Sequence, residues 1–132
     1  MHIDHIGIAV SDLDKAIVTY EKILNKKLTK TERVESEKVE TAFFDTGESK
    51  VELLGPTDET SVIQKFVDKN GEGLHHVAFE VDDIHREMDR LKNEGFRLLN
   101  EEPKQGADNK LIAFLHPKDN HGELVELCQS QT

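Results

Sequence analysis

Cysteine is almost missing from this chain: Cys128 is the single one. One thiol cannot build an internal disulfide framework, fits a reducing compartment such as the cytoplasm, and leaves no all-thiolate zinc site. Long apolar runs are missing too, since no stretch approaches the roughly 20 residues of a membrane span. Met1-His2-Ile3-Asp4-His5 has no basic segment leading into an apolar one, so no secretory signal is expected. Cations are outnumbered, 17 Lys and Arg against 27 Asp and Glu, for a formal net charge of −10. That excess disfavours nonspecific binding to nucleic acid or an anionic membrane. An anionic ligand would therefore need a local basic patch or a bound cation. What remains, 132 residues of which 36% are hydrophobic, suits one compact domain or two small modules sharing a core.

The chain repeats itself. His5-Ile6-Gly7-Ile8-Ala9-Val10-Ser11-Asp12-Leu13 sits in step with His76-Val77-Ala78-Phe79-Glu80-Val81-Asp82-Asp83-Ile84, 71 residues later. Leu13, Ile17, Tyr20 and Leu24 then fall at helical spacing, as do Ile84, Met88 and Leu91. Ser11 or Asp12, and Asp82 or Asp83, offer N-caps, with Asn25 and Gly95 as stops. Ala42-Phe43-Phe44 matches Ala113-Phe114-Leu115, and with three more residues in the second half Val51-Glu52-Leu53 matches Val125-Glu126-Leu127.

Each half reads strand, helix, then two or three strands. The spans are about 3–10, 12–24, 27–34, 38–46 and 49–55 in the first. In the second they are about 74–81, 83–94, 96–100, 110–116 and 122–128. Between them Val62, Ile63, Phe66 and Val67 predict a connecting helix over Thr60–Asn70, ended by Gly71.

Alternate side chains of a strand face the same way. His5, Gly7 and Ala9 share one face, as do His76, Ala78 and Glu80, and both faces are otherwise mostly small. Glu52 lies between core-type Val51 and Leu53, and Glu126 between Val125 and Leu127, so both carboxylates point away from the aliphatic face. Pseudo-twofold repeats would gather His5, Glu52, His76 and Glu126 in one concave sheet. Two imidazoles and two carboxylates suit one divalent ion: cobalt, zinc, nickel, manganese or iron. A lone histidine or glutamate in a strand is ordinarily an edge or solvated residue; recurrence of both in register favours a metal. His2, His75, His85 and His121 read as structural or exposed, His116 as a pocket rim, and Cys128 as a small buried filler.

These residues resemble a family. Asp4-His5-Ile6-Gly7-Ile8-Ala9-Val10, Val39-Glu40-Thr41-Ala42-Phe43-Phe44, Lys50-Val51-Glu52-Leu53-Leu54, Gly73-Leu74-His75-His76-Val77-Ala78-Phe79-Glu80 and Phe114-Leu115-His116-Pro117-Lys118-Asp119 are similar to the vicinal-oxygen-chelate (glyoxalase/bleomycin-resistance) superfamily. Within it they look most like the methylmalonyl-CoA epimerases. The resemblance implies an α+β fold of two tandem βαβββ modules, residues 1–56 and 73–132 around the connecting helix 57–72, in a single domain spanning 1–132. The sheet would be cup-shaped and mostly antiparallel, with helices outside.

The implied reaction inverts the α-carbon of methylmalonyl-CoA, or a close 2-carboxyacyl-CoA, through a metal-stabilised enolate. Glu126 and Glu40 would handle protons on opposite faces, while His5, Glu52, His76 and Glu126 hold the metal. Lys104, Phe114, His116 and Lys118 would meet the acyl-CoA, with Lys110 as a further cation for its tail. A cytoplasmic homodimer is implied, with no nucleic acid or membrane partner. One departure is visible: Gln105–Lys110 lacks the second glycine expected near Asp108 or Asn109. The alternatives are a glyoxalase-type lyase acting on a thiol hemithioacetal, and a non-catalytic binding or resistance protein.

Overall fold

Alternation starts the fold: in the computed structural model, which describes residues 1–131, His2–Ala9 forms strand β1. Helix α1 (Leu13–Leu24) follows because Asp12 is extended and its carboxylate accepts the Lys15 N–H at 3.1 Å. Asn25, left-handed at φ 53°, ends it. Strands β2 (Lys30–Val34), β3 (Val39–Asp45) and β4 (Lys50–Pro56) come next, then helix α2 (Val62–Asn70), capped by the Ser61 hydroxyl. The pattern restarts with β5 (Gly73–Glu80) and α3 (Ile84–Asn93), where Asp83 caps as Asp12 does. Strands β6 (Lys104–Gln105), β7 (Lys110–Leu115) and β8 (Val125–Ser130) complete it.

The chain divides into a first unit, His5–His75, and a second, Met1–Asp4 with His76–Thr132. In the first the strand order is β2-β3-β4-β1, with β1 parallel to β4 and the other ladders antiparallel. In the second it is β6-β7-β8-β5, with β5 parallel to β8 and the rest antiparallel. The α+β class and the repeated module read from the sequence are what the chain adopts. Register repeats as well: Glu52 lies opposite Gly7 and Phe43, and Glu126 opposite Ala78 and Phe114.

In the first unit, Ala42, Phe44 and Leu53 pack against Leu13, Ile17, Tyr20 and Leu24 of α1. Burying a side chain the size of Phe44 contributes roughly 1.5–3 kcal/mol. Gly55 lets the start of α1 approach, since a Cβ there would stand 2.8 Å from that of Leu13. The other sheet face is covered at one end by α2, whose Ile63, Phe66 and Val67 lie on Ala9, Val39 and Leu54. In the second unit, Ile84, Met88 and Leu91 of α3 cover Val81, Ala113 and Leu127.

Three expectations need correction. The strand read over 96–100 is a single bridge, Leu98 to Leu115. Backbone bonds join Leu99 N–H to Phe114 and His116 N–H to Arg97, but the Phe114 N–H goes to the Asn100 side-chain carbonyl at 2.9 Å, which ends the ladder. Strand β8 starts at Val125 rather than 122, because His121 and Gly122 both have positive φ and the Glu123 N–H closes a turn on Asn120. Where a second glycine was expected, Asp108 and Asn109 are left-handed at φ 58° and 54°. Asx residues tolerate that conformation best among side-chain-bearing residues, so the β6–β7 turn keeps its shape. Among the described residues no helix is long and apolar enough to cross a membrane.

Candidate functional site

Each unit buries one imidazole against one carboxylate. In the first, diagonal neighbours on β1 and β4 bring His5 Nδ1 to 3.1 Å from a Glu52 oxygen. In the second, the same diagonal on β5 and β8 brings His76 Nε2 to 3.4 Å from Glu126. All four residues are at most 7% exposed, so water does little to stabilise their charges. Such a contact needs either a proton on the ring or a cation facing both groups. Two neutral imidazoles and two carboxylates are the nitrogen and oxygen donors that divalent first-row ions take, and the residues fit that use.

Burial, with the Asp4 charge pushing the same way and Lys110 and Lys104 opposing, lifts the Glu126 carboxyl to about 8. The Phe114 ring stands edge-on to His76 at 6.1 Å, and Lys104 Nζ lies 6.0 Å from the Phe114 centroid. Two of the residues expected to meet an acyl-CoA are thus neighbours, and one of them packs on His76.

Lys110 does something else. Read from sequence as a surface cation, it is buried, with Nζ 3.2 Å from Asp4, 3.1 Å from Glu80 and 2.9 Å from the Ser130 hydroxyl. Burial alone would lower its pKa, yet the Glu80 hydrogen bond and the Asp4 charge raise it. Glu80 in turn accepts from the Ser130 N–H and hydroxyl and from the Cys128 thiol. Those bonds, working against burial, hold Glu80 below the usual carboxylate range. Burial, helped by Asp4 and Glu126, pushes the Cys128 thiol far up, away from nucleophilic use. Lys110 is therefore committed inside the second unit rather than to a phosphate tail.

The structure does not bring Glu40 to Glu52. Glu40 lies opposite Gly55, whose missing Cβ points at Leu13, so its side chain is on the α1 face. There its carboxylate pairs with Arg33 at 3.4 Å. Thr41, 2% exposed, is the β3 residue that alternates onto the Glu52 face. Both faces of β3 are apolar, so alternation in the sequence could not say which way Glu40 turned. His116 stands at the end of β7 and Lys118 in the exposed 3₁₀ turn Pro117–Asp119 that follows. His75 rests edge-on against Phe66 at 4.8 Å, and burial lowers its pKa. Asp119, which sequence reasoning missed, binds Arg97 through both carboxylate oxygens at 2.8 and 3.0 Å.

Comparison with known proteins gives the family. Residues 4–114 match the Glyoxalase/Bleomycin resistance protein/Dioxygenase superfamily. An ethylmalonyl-CoA/methylmalonyl-CoA epimerase of Cereibacter sphaeroides is 42% identical over 96% of this chain and 96% of its own length. The crystal structure of methylmalonyl-CoA epimerase from Mycobacterium tuberculosis superposes with a TM-score of 0.94 at 38% identity, covering 99% of this chain and 89% of that one. A variant of the Streptomyces coelicolor methylmalonyl-CoA epimerase, solved in complex with 2-nitronate-propionyl-CoA, gives 0.92 at 40% identity over 100% of this chain and 99% of that one.

Proposed function

We propose a function from one premise: this chain belongs to the glyoxalase/bleomycin resistance/dioxygenase superfamily and, within it, to the methylmalonyl-CoA epimerase group. It is an isomerase of the epimerase type. Its substrate is methylmalonyl-CoA or a close 2-carboxyacyl-CoA. The observation that carries this reading is the pair of buried His–carboxylate contacts at equivalent positions of the repeat. His5, Glu52, His76 and Glu126 hold one divalent ion. When bound, that ion supplies Lewis-acid stabilisation of the charge that builds on the thioester oxygen as the α-proton leaves. A cation there also offsets the repulsion between an acidic protein and an anionic substrate.

Inverting a carbon requires acid/base groups on its two sides. Glu126 is one. Glu52, its counterpart in the repeat, is the other. Glu40 takes no proton role, because Arg33 holds its carboxylate on the α1 face. Phe114 packs on His76 and shields it, while Lys104, His116 and Lys118 meet the acyl-CoA. We take the working form to be a cytoplasmic homodimer, which light scattering of the purified protein tests.

The deciding experiment follows one stereoisomer of methylmalonyl-CoA in heavy water with metal-loaded protein. Chirality should be lost and deuterium should appear at the α-carbon. Glu126→Gln and Glu52→Gln should each abolish exchange for a different isomer, and Glu40→Gln should stay within about twofold of wild type, well inside the 10²–10⁴ of a lost acid/base group. Conversion of methylglyoxal with a thiol, but no epimerisation, would replace this reading with a glyoxalase one. Full metal occupancy in His76→Ala would remove the ligand set.

A further inference from the structure

The repeat spacing grows from 71 residues at Phe43 and Phe114 to 74 at Glu52 and Glu126, so the second unit carries three extra residues between β7 and β8. In the first unit the corresponding turn is closed simply, by the Thr46 N–H on Ser49 at 3.0 Å. In the second, the insertion forms the Pro117–Asp119 turn, and Arg97 grips it through its carbonyl, its guanidinium and its N–H. The Arg97 carbonyl accepts the His116 N–H at 2.8 Å, and its guanidinium fork binds Asp119. Asp119 also accepts the Arg97 N–H at 2.8 Å. Those bonds hold the Asp119 carboxyl at about 2, so the pair is charged throughout the physiological range.

Held this way, His116 turns its ring back onto its own turn, where Nδ1 accepts the Lys118 N–H at 3.1 Å. An imidazole nitrogen that accepts carries no proton, so the neutral ring bears its proton on Nε2. Among the described residues no group accepts that N–H. His116 is extended (φ −66°, ψ 125°) and lies two positions beyond Phe114 on the same side of β7, which is the side of Glu126 and His76.

We infer that His116 is a preset hydrogen-bond donor to an acceptor oxygen of the acyl-CoA arm, and that Arg97 and Asp119 are the positioning residues that aim it. This rests on the acyl-CoA reading above. The acceptor is a pantetheine amide carbonyl or a phosphate oxygen; both take an N–H in the same way.

Two substitutions separate donor from cap. His116→Asn keeps an oxygen for the Lys118 N–H, since Asn is a good cap, but loses the reach of Nε2–H. Its Kd for propionyl-CoA, by calorimetry, should rise roughly 5- to 15-fold, the scale of one hydrogen bond. With methylmalonyl-CoA the loss should fall on KM rather than kcat. His116→Gln restores an N–H near the Nε2 position without a cap, and should regain most of the affinity while lowering Tm. Arg97→Gln should weaken binding about threefold in the wild-type background and add nothing in His116→Asn, because coupled residues are non-additive. A penalty that persists with propionyl-pantetheine assigns the amide carbonyl; one seen only with propionyl-CoA assigns the phosphate. Wild-type affinity in His116→Asn overturns the donor, as does an Arg97→Gln penalty that survives in the double variant. Ring ¹⁵N NMR showing the proton on Nδ1 overturns it too, as does absence of propionyl-CoA binding. Binding of the probe without turnover of methylmalonyl-CoA sinks only the epimerase reading.

Discussion

Ala9, Val39 and Leu54 in the first unit occupy the same positions of the repeat as Glu80, Lys110 and Cys128 in the second. The ladders agree: Ala9 pairs with Leu54 as Glu80 pairs with Cys128, and Val39 faces Pro56 as Lys110 faces Ser130. The first trio is apolar and roofed by Ile63, Phe66 and Val67 of α2. The second is closed by an ion network that draws in Asp4 and Ser130. What the repeat preserves at these positions is burial, reached once by hydrophobic cover and once by paired charge. At the His–Glu positions it preserves both burial and chemistry. Structural positions have diverged while the donor positions have not, which is the pattern expected if the donors act together.

The largest break in that comparison comes from the ion network. Lys110→Met leaves the Asp4 and Glu80 carboxylates without their buried cation, which should cost about 3–5 kcal/mol in urea unfolding. Replacing Asp4, Glu80 and Lys110 together by Ala, Ala and Val should recover most of that loss, since the charges leave together and Ala9 and Val39 already stand at the positions equivalent to Glu80 and Lys110. If the triple variant is as unstable as the single one, the two solutions are not interchangeable and the comparison fails. Next in size is the hydrophobic roof: Ile63→Ala should cost about 2–4 kcal/mol, the range of buried aliphatic truncation. A smaller difference lies where each strand meets its helix. Gly55 touches Leu13 directly, whereas its counterpart Gln129 reaches the Ile84 N–H with its side-chain carbonyl at 2.8 Å. Gly55→Ala should cost about 1–3 kcal/mol because the clash is with a Cβ that cannot swing away. Gln129→Ala should cost about 1 kcal/mol, the net value of one hydrogen bond.

Much of this was legible in the sequence because the repeat supplied the strands and flanking helices twice. Asp12 and Asp83 are both caps, Asn25 is a left-handed stop, and alternation puts His5 with Glu52, and His76 with Glu126, on common faces. Lys110 was misread because a lysine that follows the polar turn Asp108-Asn109 looks solvated. Yet the same alignment sets it against Val39, a core position, and that was the signal to use. The orientation of Glu40 was illegible for a different reason: a strand buried on both faces has no polar alternation to orient it. The residues 96–100 failed because a side-chain amide, Asn100, does the work of a backbone carbonyl. The Arg97–Asp119 pair spans a distance in sequence that no local pattern encodes.

The smallest expected effect belongs to that pair, and it tests whether the inserted turn is an independent feature of the second unit. Arg97 lowers the Asp119 carboxyl from 3.8 to about 2, through its side-chain and then its backbone hydrogen bond. A carboxyl lowered on folding releases its proton more readily in the folded chain. Its stabilisation is therefore fully present above about pH 4 and is lost as pH falls through about 2. Asp119→Asn should be less stable than wild type by a constant margin near neutrality, and the two unfolding curves should converge between pH 4 and 2. The pair is exposed, so the margin should be below those of the preceding substitutions and should shrink further in roughly 0.5 M salt. Amide exchange locates the effect. The His116 N–H, bonded to the Arg97 carbonyl, should exchange faster in Asp119→Asn, while the Thr46 N–H of the simpler turn should not change. A margin that widens toward pH 2 would reverse the sign and show that Asp119 is held protonated. Faster exchange at Thr46 would mean that the two turns share one unfolding event, and that the insertion is not a local addition to the repeat.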